Sequence, residues 1–433
     1  MQCASFLTVK SKPMSTSPKV APASVSSRCR TCGEVLHAVF ADLGTAPFAN
    51  SFLRRQDLSV MEPFYPLRVH VCGSCLHVQL EEFQSPGAIF SDYAYFSSFS
   101  TSWLAHSERY AVKMIERFRL GAHSRVVEIA SNDGYLLQYF QREGIPVLGI
   151  EPAENVAKVA LEKGIPTEAV FFNPETAAEL AGRGNSADLM AANNVLAHVP
   201  DVHGFLEGFR ILLKPGGVAT FEFPHIMHLI QQNQFDTIYH EHFSYFSLFV
   251  VEHLLNLHGL AVFDVESIPT HGGSLRVYAR HRENVDPPVS ASVDLLKQAE
   301  RDAGLLSLDT YTAFAAQPVN VKCELLRFLI DCRQSQKRVV GYGAPAKGNT
   351  LLNYCGIGPE LLEATVDLSP HKQGLYLPGT RIPIRSPAEI ERTRPDYILI
   401  LPWNLRDEIA GQMSVIRSWG GKFVVPIPHL EIF

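Results

Sequence analysis

The sequence predicts an α/β protein in three parts: a small N-terminal domain pinned by cysteines, a central doubly wound parallel-sheet domain, and a second, smaller domain of the same kind. Three observations carry this. Four of the eight cysteines fall into two tight pairs, Cys29/Cys32 and Cys72/Cys75. From about residue 84 to 290, apolar strand-like runs alternate with helical patterns. After a charged helical stretch (about 291–336) the same rhythm restarts at 338. Strand–helix alternation implies a parallel sheet with helices on both faces and ligands at the strands' carboxyl ends.

At 433 residues the chain exceeds what one core holds. Its 46% hydrophobic and 19% charged content is that of a globular protein, and no apolar run reaches the ~18–20 residues of a membrane span. A net charge of −6 argues against nucleic-acid binding, which needs a basic face. Residues 1–27 lack Asp and Glu, are rich in Ser, Pro and Lys, and carry no continuous apolar segment of the signal-peptide type, so a disordered tail is expected. Cys3, Cys323, Cys332 and Cys355 are scattered, which is not a disulfide framework and suits a reducing cytoplasm.

In the first domain (28–83), CRTC and CGSC each read as a short turn aiming two thiolates at one ion. The repeated C-x2-C spacing predicts a tetrahedral zinc site of Cys29, Cys32, Cys72 and Cys75. Four buried, unrelated cysteines are the bland alternative. Four sulfur ligands leave no open position, so the zinc is expected to be structural, contributing folding free energy of about 10–16 kcal/mol as in zinc-finger peptides.

In the second domain (84–290), SRVVEIA (124–130) reads as a buried strand, SNDGYLLQYFQREG as a turn entering a helix, and IPVLGIEP (145–152) as the next strand. ADLMAANNVLAHV and GVATFEFP continue the pattern. The turn from Glu128 to Gly134 lets backbone amides approach a ligand, and Glu151 ends the following strand where a carboxylate could bond ribose hydroxyls. Such a unit suits a dinucleotide or S-adenosylmethionine; a purely structural tight turn is the alternative. In the third domain (291–433), Gly341-Tyr342-Gly343-Ala344-Pro345-Ala346 fits G-x-G-x-x-A after a strand, with Asp367 ending a later one. By pattern alone this is the better NAD fingerprint. Lys347 and Asn349 follow it and suit a pyrophosphate, whether of a dinucleotide or a nucleotide-sugar.

Residues 237–246, TIYHEHFSYF, concentrate two tyrosines, two histidines and a glutamate. Seventeen histidines make chance clustering easy, and His240 and His242 could be alternate metal ligands on a strand. However, H-E-H lacks the i,i+4 spacing of the H-E-x-x-H zinc helix. Catalysis and structure stay open at this point. If Tyr239–His242 is helical, these two share a face.

The paired cysteines, DYAYFSS (92–98), VVEIASNDGYLL, GIEPAENVA, ANNVLAHVPD, FDTIYHEHFSYFS, HGGSLR (271–276), GYGAPAKGN and LPWN occur in an order similar to that of three-domain sugar C-methyltransferases of antibiotic deoxysugar pathways. The resemblance runs from about residue 28 to the C-terminus. It implies a zinc-binding N-terminal domain, a Rossmann-like core binding S-adenosylmethionine, and a Rossmann-like C-terminal domain holding a nucleotide-sugar. It assigns Glu128, Ser131, Asn132, Gly134 and Glu151 to the cofactor, although Ala130 and Asn132 stand where the common D-x-G-x-G-x-G turn has glycines. It assigns Gly341, Gly343, Lys347 and Asn349 to the nucleotide-sugar, with Ser274 and Arg276 bordering the sugar. His242 becomes the general base, with Tyr239, Glu241 and His198 in the same pocket and Tyr93 closing over cofactor or substrate.

Carbon methylation needs a base of suitable pKa, an oxyanion stabiliser and a dry pocket, and no metal. The implied reaction is methylation of a ring carbon, C3, of a thymidine-diphosphate-linked 4-keto-6-deoxy sugar. An NAD-dependent oxidoreductase using Gly341–Ala346 and Asp367, or a non-catalytic nucleotide-binding zinc protein, are the alternatives. Two flanking domains around the core are compatible with a monomer, and no nucleic-acid or membrane partner is expected.

Overall fold

The computed structural model describes residues 27–83, 87 and 97–433. The tail before residue 27, Tyr93 and most of DYAYFSS lie outside them. Three sheets organise the chain.

The central sheet has seven strands in the order Leu260–Ile268, Ser274–His281, Leu213–Pro224, Ala187–Asn193, Val126–Ile129, Val147–Ile150, Thr167–Glu168. Five are parallel; the first two form an antiparallel hairpin at one edge. Val126–Ile129 and Val147–Ile150 are buried along their whole length, the continuous apolar run that a strand covered on both faces requires. The chain crosses from one side of the sheet to the other between Val126–Ile129 and Ala187–Asn193, so a ligand crevice opens at their carboxyl ends. Helix Thr101–Phe118 covers this end. Ser100 caps it by accepting from the Trp103 amide, Arg119 stops it in the left-handed region (φ 52°), and His106, Tyr110, Ala111 and Met114 face inward at helical spacing.

The N-terminal sheet is antiparallel: Ala38–Ala46, Tyr65–Val71, Val78–Leu80. Its fourth strand is Ser244–Tyr245, from the end of the HEHF stretch, paired through Val78↔Tyr245 and Gln79↔Ser244. The C-terminal sheet runs Ile384–Arg385, Thr365–Val366, Val339–Tyr342, Tyr397–Ile400, Lys422–Val425, Glu431–Ile432, parallel except for the last strand.

These two outer sheets share one hydrophobic core. Phe40 of the first strand stacks on Phe314 at 4.6 Å between ring centroids, and Val69 and Val78 join Leu325, Leu351, Ile398 and Val424 in the same cluster. Phe235 and Ile238, just before HEHF, are buried in it too. Helices Leu308–Ala313 and Gln317–Gln334 thus serve as the packing layer between the two ends of the chain, while helix Ala291–Asp302 buries Val293 in the central domain's core. Among the described residues no helix is long and apolar enough to cross a membrane.

Candidate active site and cysteine cluster

The HEHF segment is a turn, not a helix. The Tyr239 carbonyl accepts from the His242 amide at 2.9 Å, and the following residues enter the N-terminal sheet. The turn still stacks Tyr239 on His242, with ring centroids 4.0 Å apart, so the shared face expected of a helix arises another way. His242 Nδ1–H donates to the Thr237 carbonyl at 2.8 Å, and His198 Nδ1–H donates to the Glu241 carbonyl at 2.8 Å. A carbonyl can only accept, so both imidazoles carry their proton on Nδ1, which leaves Nε2 as the acceptor nitrogen of His242. The rings meet edge to face at 4.7 Å. Burial holds both below the ordinary histidine range: His198 down to about 4, and His242 further lowered by its neighbours His198, His271 and Lys347.

Glu241 points elsewhere. Its buried carboxylate accepts from Asn50 Nδ2 at 2.7 Å, and burial raises it to about 7 against that bond. Its backbone orients His198 and its side chain ties the turn to the loop after the first strand. His240 faces the opposite way, donating to the Pro66 carbonyl within a box of Phe48, Tyr65 and Phe83. The four consecutive side chains Tyr239 to His242 therefore divide between a cleft and the N-terminal domain.

At the first turn, Ala130, Asn132 and Gly134 all have positive φ (54°, 50°, 78°). A side chain at Gly134 would sit 2.9 Å from Ile165. Asn132 N–H and Ala153 N–H donate to the two Glu151 oxygens at 2.9 Å each, and the lone pairs left on those oxygens suit ribose hydroxyls. The Asn132 side chain accepts from the Ser97 amide. Glu128 is fully buried, its carboxyl pushed well above the usual range by burial and held back in part by the Tyr135 hydroxyl. Ser131 Oγ and Asn193 Oδ1 are buried without partners at the same strand ends. Orphaned polar atoms converging on the crevice fit a polar ligand such as S-adenosylmethionine.

The second turn is filled by the protein itself. A side chain at Gly343 (φ 89°) would sit 2.6 Å from Pro402, and one at Gly341 would sit 2.8 Å from Thr365. The Ala344 amide, which would face a phosphate, donates to Asp367 at 2.7 Å, and Lys372 bonds the Ala344 carbonyl. Asn349 is buried and donates to the Ala49 carbonyl at 2.6 Å. The glycines of the NAD-like fingerprint thus admit close approach to Thr365 and Pro402, and Asn349 joins domains. Lys347 alone of this group faces the histidines, its charge lowering both His242 and His271.

HGGSLR shapes the opposite wall. A side chain at Gly272 (φ 90°) would meet Trp403 at 2.6 Å and one at Gly273 (φ 115°) would meet the His228 ring at 2.5 Å. Between them and Pro269, His271 adopts a left-handed backbone (φ 55°) and lies 5.4 Å from Trp103. Ser274 is buried and donates to the Thr270 carbonyl. Arg276 pairs with Glu222 and Glu266, and Glu222 also bonds His106, whose ring stacks on Trp103. Ser274 and Arg276 thus support the wall rather than line it. Asn50, Trp103 and Trp403 were not singled out by the sequence; LPWN contains Trp403, but nothing in its spacing marked a site, whereas His271 lies in the HGGSLR stretch that the sequence did mark.

The four cysteine sulfurs lie within 4.8 Å of one another, with Cys29–Cys75 and Cys32–Cys72 at 3.5 Å. Four ligands about 2.3 Å from one zinc ion would be roughly 3.8 Å apart, so the set fits. Gly33 (φ 76°) and Leu76 (φ 61°) make the two turns, and Gln79 Nε2 donates to Cys29 Sγ.

Three family models match successive stretches of the chain: a domain described as zinc binding over 29–90, a methyltransferase domain over 103–265, and a C-methyltransferase C-terminal domain over 269–428. C-methyltransferase NovU of Streptomyces niveus is 37% identical over 404 residues, 93% of this chain and 96% of its own length. A ubiquinone biosynthesis O-methyltransferase of Chelativorans sp. (strain BNC1) is 32% identical over 98 residues, 22% of this chain and 38% of its own. Among solved structures, an S-adenosylmethionine-dependent methyltransferase from Clostridium acetobutylicum aligns over 40% of this chain and 90% of its own at 11% identity and TM-score 0.33. The PH0226 protein of Pyrococcus horikoshii aligns over 46% and 99% at 14% identity and TM-score 0.35. The chain belongs to the S-adenosylmethionine-dependent C-methyltransferase family whose members carry a zinc-binding domain, a methyltransferase core and a dedicated C-terminal domain in that order.

Proposed function

We propose that the protein methylates C3 of a thymidine-diphosphate-linked 4-keto-6-deoxy sugar, with His242 as the base. The observation that carries this is the His242 imidazole, fixed by the Thr237 carbonyl with its proton on Nδ1, meeting His198 and Tyr239 next to a crevice of orphaned polar atoms. Glu128, Ser131, Asn132 and Glu151 would hold S-adenosylmethionine, which when bound supplies an electrophilic methyl group. His242 Nε2 takes the proton from the carbon beside the ketone, and the C–H electron pair moves into an enolate. Burial disfavours the resulting imidazolium, so the base returns its proton readily once the carbanion is consumed. Tyr239 packs tilted against the imidazole, with ring centroids 4.0 Å apart, and limits its rotation. His198 sits where it can pass the proton onward. Zinc at the four cysteines would be structural. The free thiols fit a cytoplasmic enzyme.

Mass spectrometry of a reaction with S-adenosylmethionine and the keto sugar tests this. A product heavier by one methyl group is expected, reduced about 10²–10⁴-fold in His242→Asn with cofactor affinity kept. Cofactor binding without product on that sugar would overturn the substrate.

A further inference from the structure

Trp403 comes from the C-terminal domain and touches both walls of the cleft. It stands just past the strand Tyr397–Ile400 and is buried, 8% exposed. Its indole Nε1–H donates to Asp236 Oδ2 at 2.8 Å, and Asp236 is itself fully buried. Asp236 belongs to the short turn Phe235–Thr237, and the next residue, Thr237, supplies the carbonyl that holds His242 Nδ1–H. The far edge of the same indole closes on the HGG loop, where a side chain at Gly272 would lie 2.6 Å from Trp403 Cη2. Gly272 is also held by Gln234, whose Nε2 donates to its carbonyl at 2.7 Å. One ring therefore spans the segment that fixes His242 and the loop that carries His271. Space filling alone does not explain it. A phenylalanine would fill the gap without burying a carboxylate, which is costly unless partnered. An N–H donating to a carboxylate sets a distance and a direction, which contacts between apolar rings do not.

We propose that Trp403 is a positioning residue: anchored by Asp236, it sets the separation between the His242 turn and the HGG loop, so that the C-terminal domain completes the cleft. The inference rests on the reading of His242 as the base. Trp403 acts through Thr237, whose carbonyl fixes the imidazole, and through Gly272, next to His271, not by touching substrate. The cofactor turn hangs on the strands of the central sheet, so cofactor affinity does not depend on this contact. A second tie, from Thr350 Oγ1 to the Ile238 carbonyl, holds the same segment. Loss of the Trp403 bond therefore loosens the His242 turn without releasing it.

Amide hydrogen exchange and turnover on the keto sugar, measured in three single variants, test this. Trp403→Phe keeps a ring against Gly272 and loses the N–H, Asp236→Ala loses the acceptor, and Asp236→Asn keeps an acceptor oxygen. In Trp403→Phe and Asp236→Ala, residues 234–242 and 270–273 should lose exchange protection together. Their kcat should fall about 10–10²-fold, the effect of a small misplacement of reacting groups. Asp236→Asn should stay within about threefold of wild type. Asp236→Ala combined with Trp403→Phe should be no worse than either alone, since both remove one bond. S-adenosylhomocysteine affinity should change less than about threefold throughout, which also shows that the variants fold. Unchanged protection, protection lost in one segment only, or cofactor affinity falling in step with kcat would overturn the positioning role. So would losses that multiply in the double variant, or an Asp236→Asn as impaired as Asp236→Ala. If wild type does not methylate the sugar, the His242 reading falls, and the exchange pattern still decides whether Trp403 positions the two walls.

Discussion

At the scale of single residues, the site is built by backbone carbonyls that choose tautomers. Thr237 and Glu241 each take one Nδ1–H, so neither imidazole needs an acidic partner. The cost shows in acid. His198 titrates near 4 in the folded protein against an ordinary 6.5, so between these values the unfolded chain binds more protons and stability falls as pH falls. Glu241 has the opposite sign: raised from 4.5 to about 7, it makes folding less favourable as pH rises through that window. Melting curves of wild type and His198→Asn should therefore converge as pH drops from 6.5 toward 4, since only the wild type carries the histidine penalty. A constant gap would show that His198 titrates normally. Asn50 is testable in the same way. Asn50→Ala strands the buried Glu241 carboxylate and should cost about 1–3 kcal/mol by chemical denaturation, with kcat falling more than cofactor affinity. Asn50→Asp should be worse, because it sets two carboxylates together. None of this was legible from one sequence. TIYHEHFSYF announced chemistry by composition, but which of its seven polar side chains face the cleft depends on Thr237 and Asn50, and no periodicity reports a turn.

At the scale of elements, two glycine turns of nearly equal sequence promise came out with different uses. The first keeps polar atoms unsatisfied at the sheet's crossing point, where a ligand can meet them. The second, with the better fingerprint, packs closely on Pro402 and gives its Ala344 amide to Asp367. A pattern records only that backbone can come close to something. What comes close is settled by a residue about sixty positions away, just past the strand Tyr397–Ile400 that pairs alongside. The strands themselves were legible because buried parallel strands leave continuous apolar runs, and the alternation with helices fixed their class. The two-residue strand Ser244–Tyr245 has no period to detect, yet it fastens the His242 turn to the N-terminal sheet. The HGG loop offers an element-scale test. Gly273→Ala places a side chain 2.5 Å from the His228 ring at φ 115°. It should cost about 1–3 kcal/mol from backbone strain alone and displace His271 from beside Trp103. Turnover should fall while S-adenosylmethionine binding, carried by the core strand ends, stays within a few-fold by titration. Unchanged turnover would mean that the loop does not shape the cleft.

At the scale of the whole molecule, the three domains are not beads on a string. The N-terminal sheet lacks a core of its own and shares one with the C-terminal domain through Phe40, Phe314 and Leu325. The His242 turn is gripped from both sides: Ser244–Tyr245 completes the N-terminal sheet, and Thr350 Oγ1 donates to the Ile238 carbonyl from helix Ala346–Cys355. Glu128 and Glu151, by contrast, sit on the central sheet, whose core clusters are separate. Metal loss at the four cysteines should therefore travel unevenly. A zinc ion there would contribute folding free energy of about 10–16 kcal/mol in the manner of zinc fingers, and its removal would loosen the sheet that carries Ser244 and the Asn50 loop. Stripping the metal with a chelator at low temperature should lower kcat at least about tenfold while the cofactor dissociation constant shifts less than about threefold, in line with an effect on positioning. Restoring zinc should restore turnover. If cofactor affinity falls in step with turnover, the cysteine cluster supports the whole molecule rather than the turn, and the asymmetry drawn from the shared core is wrong.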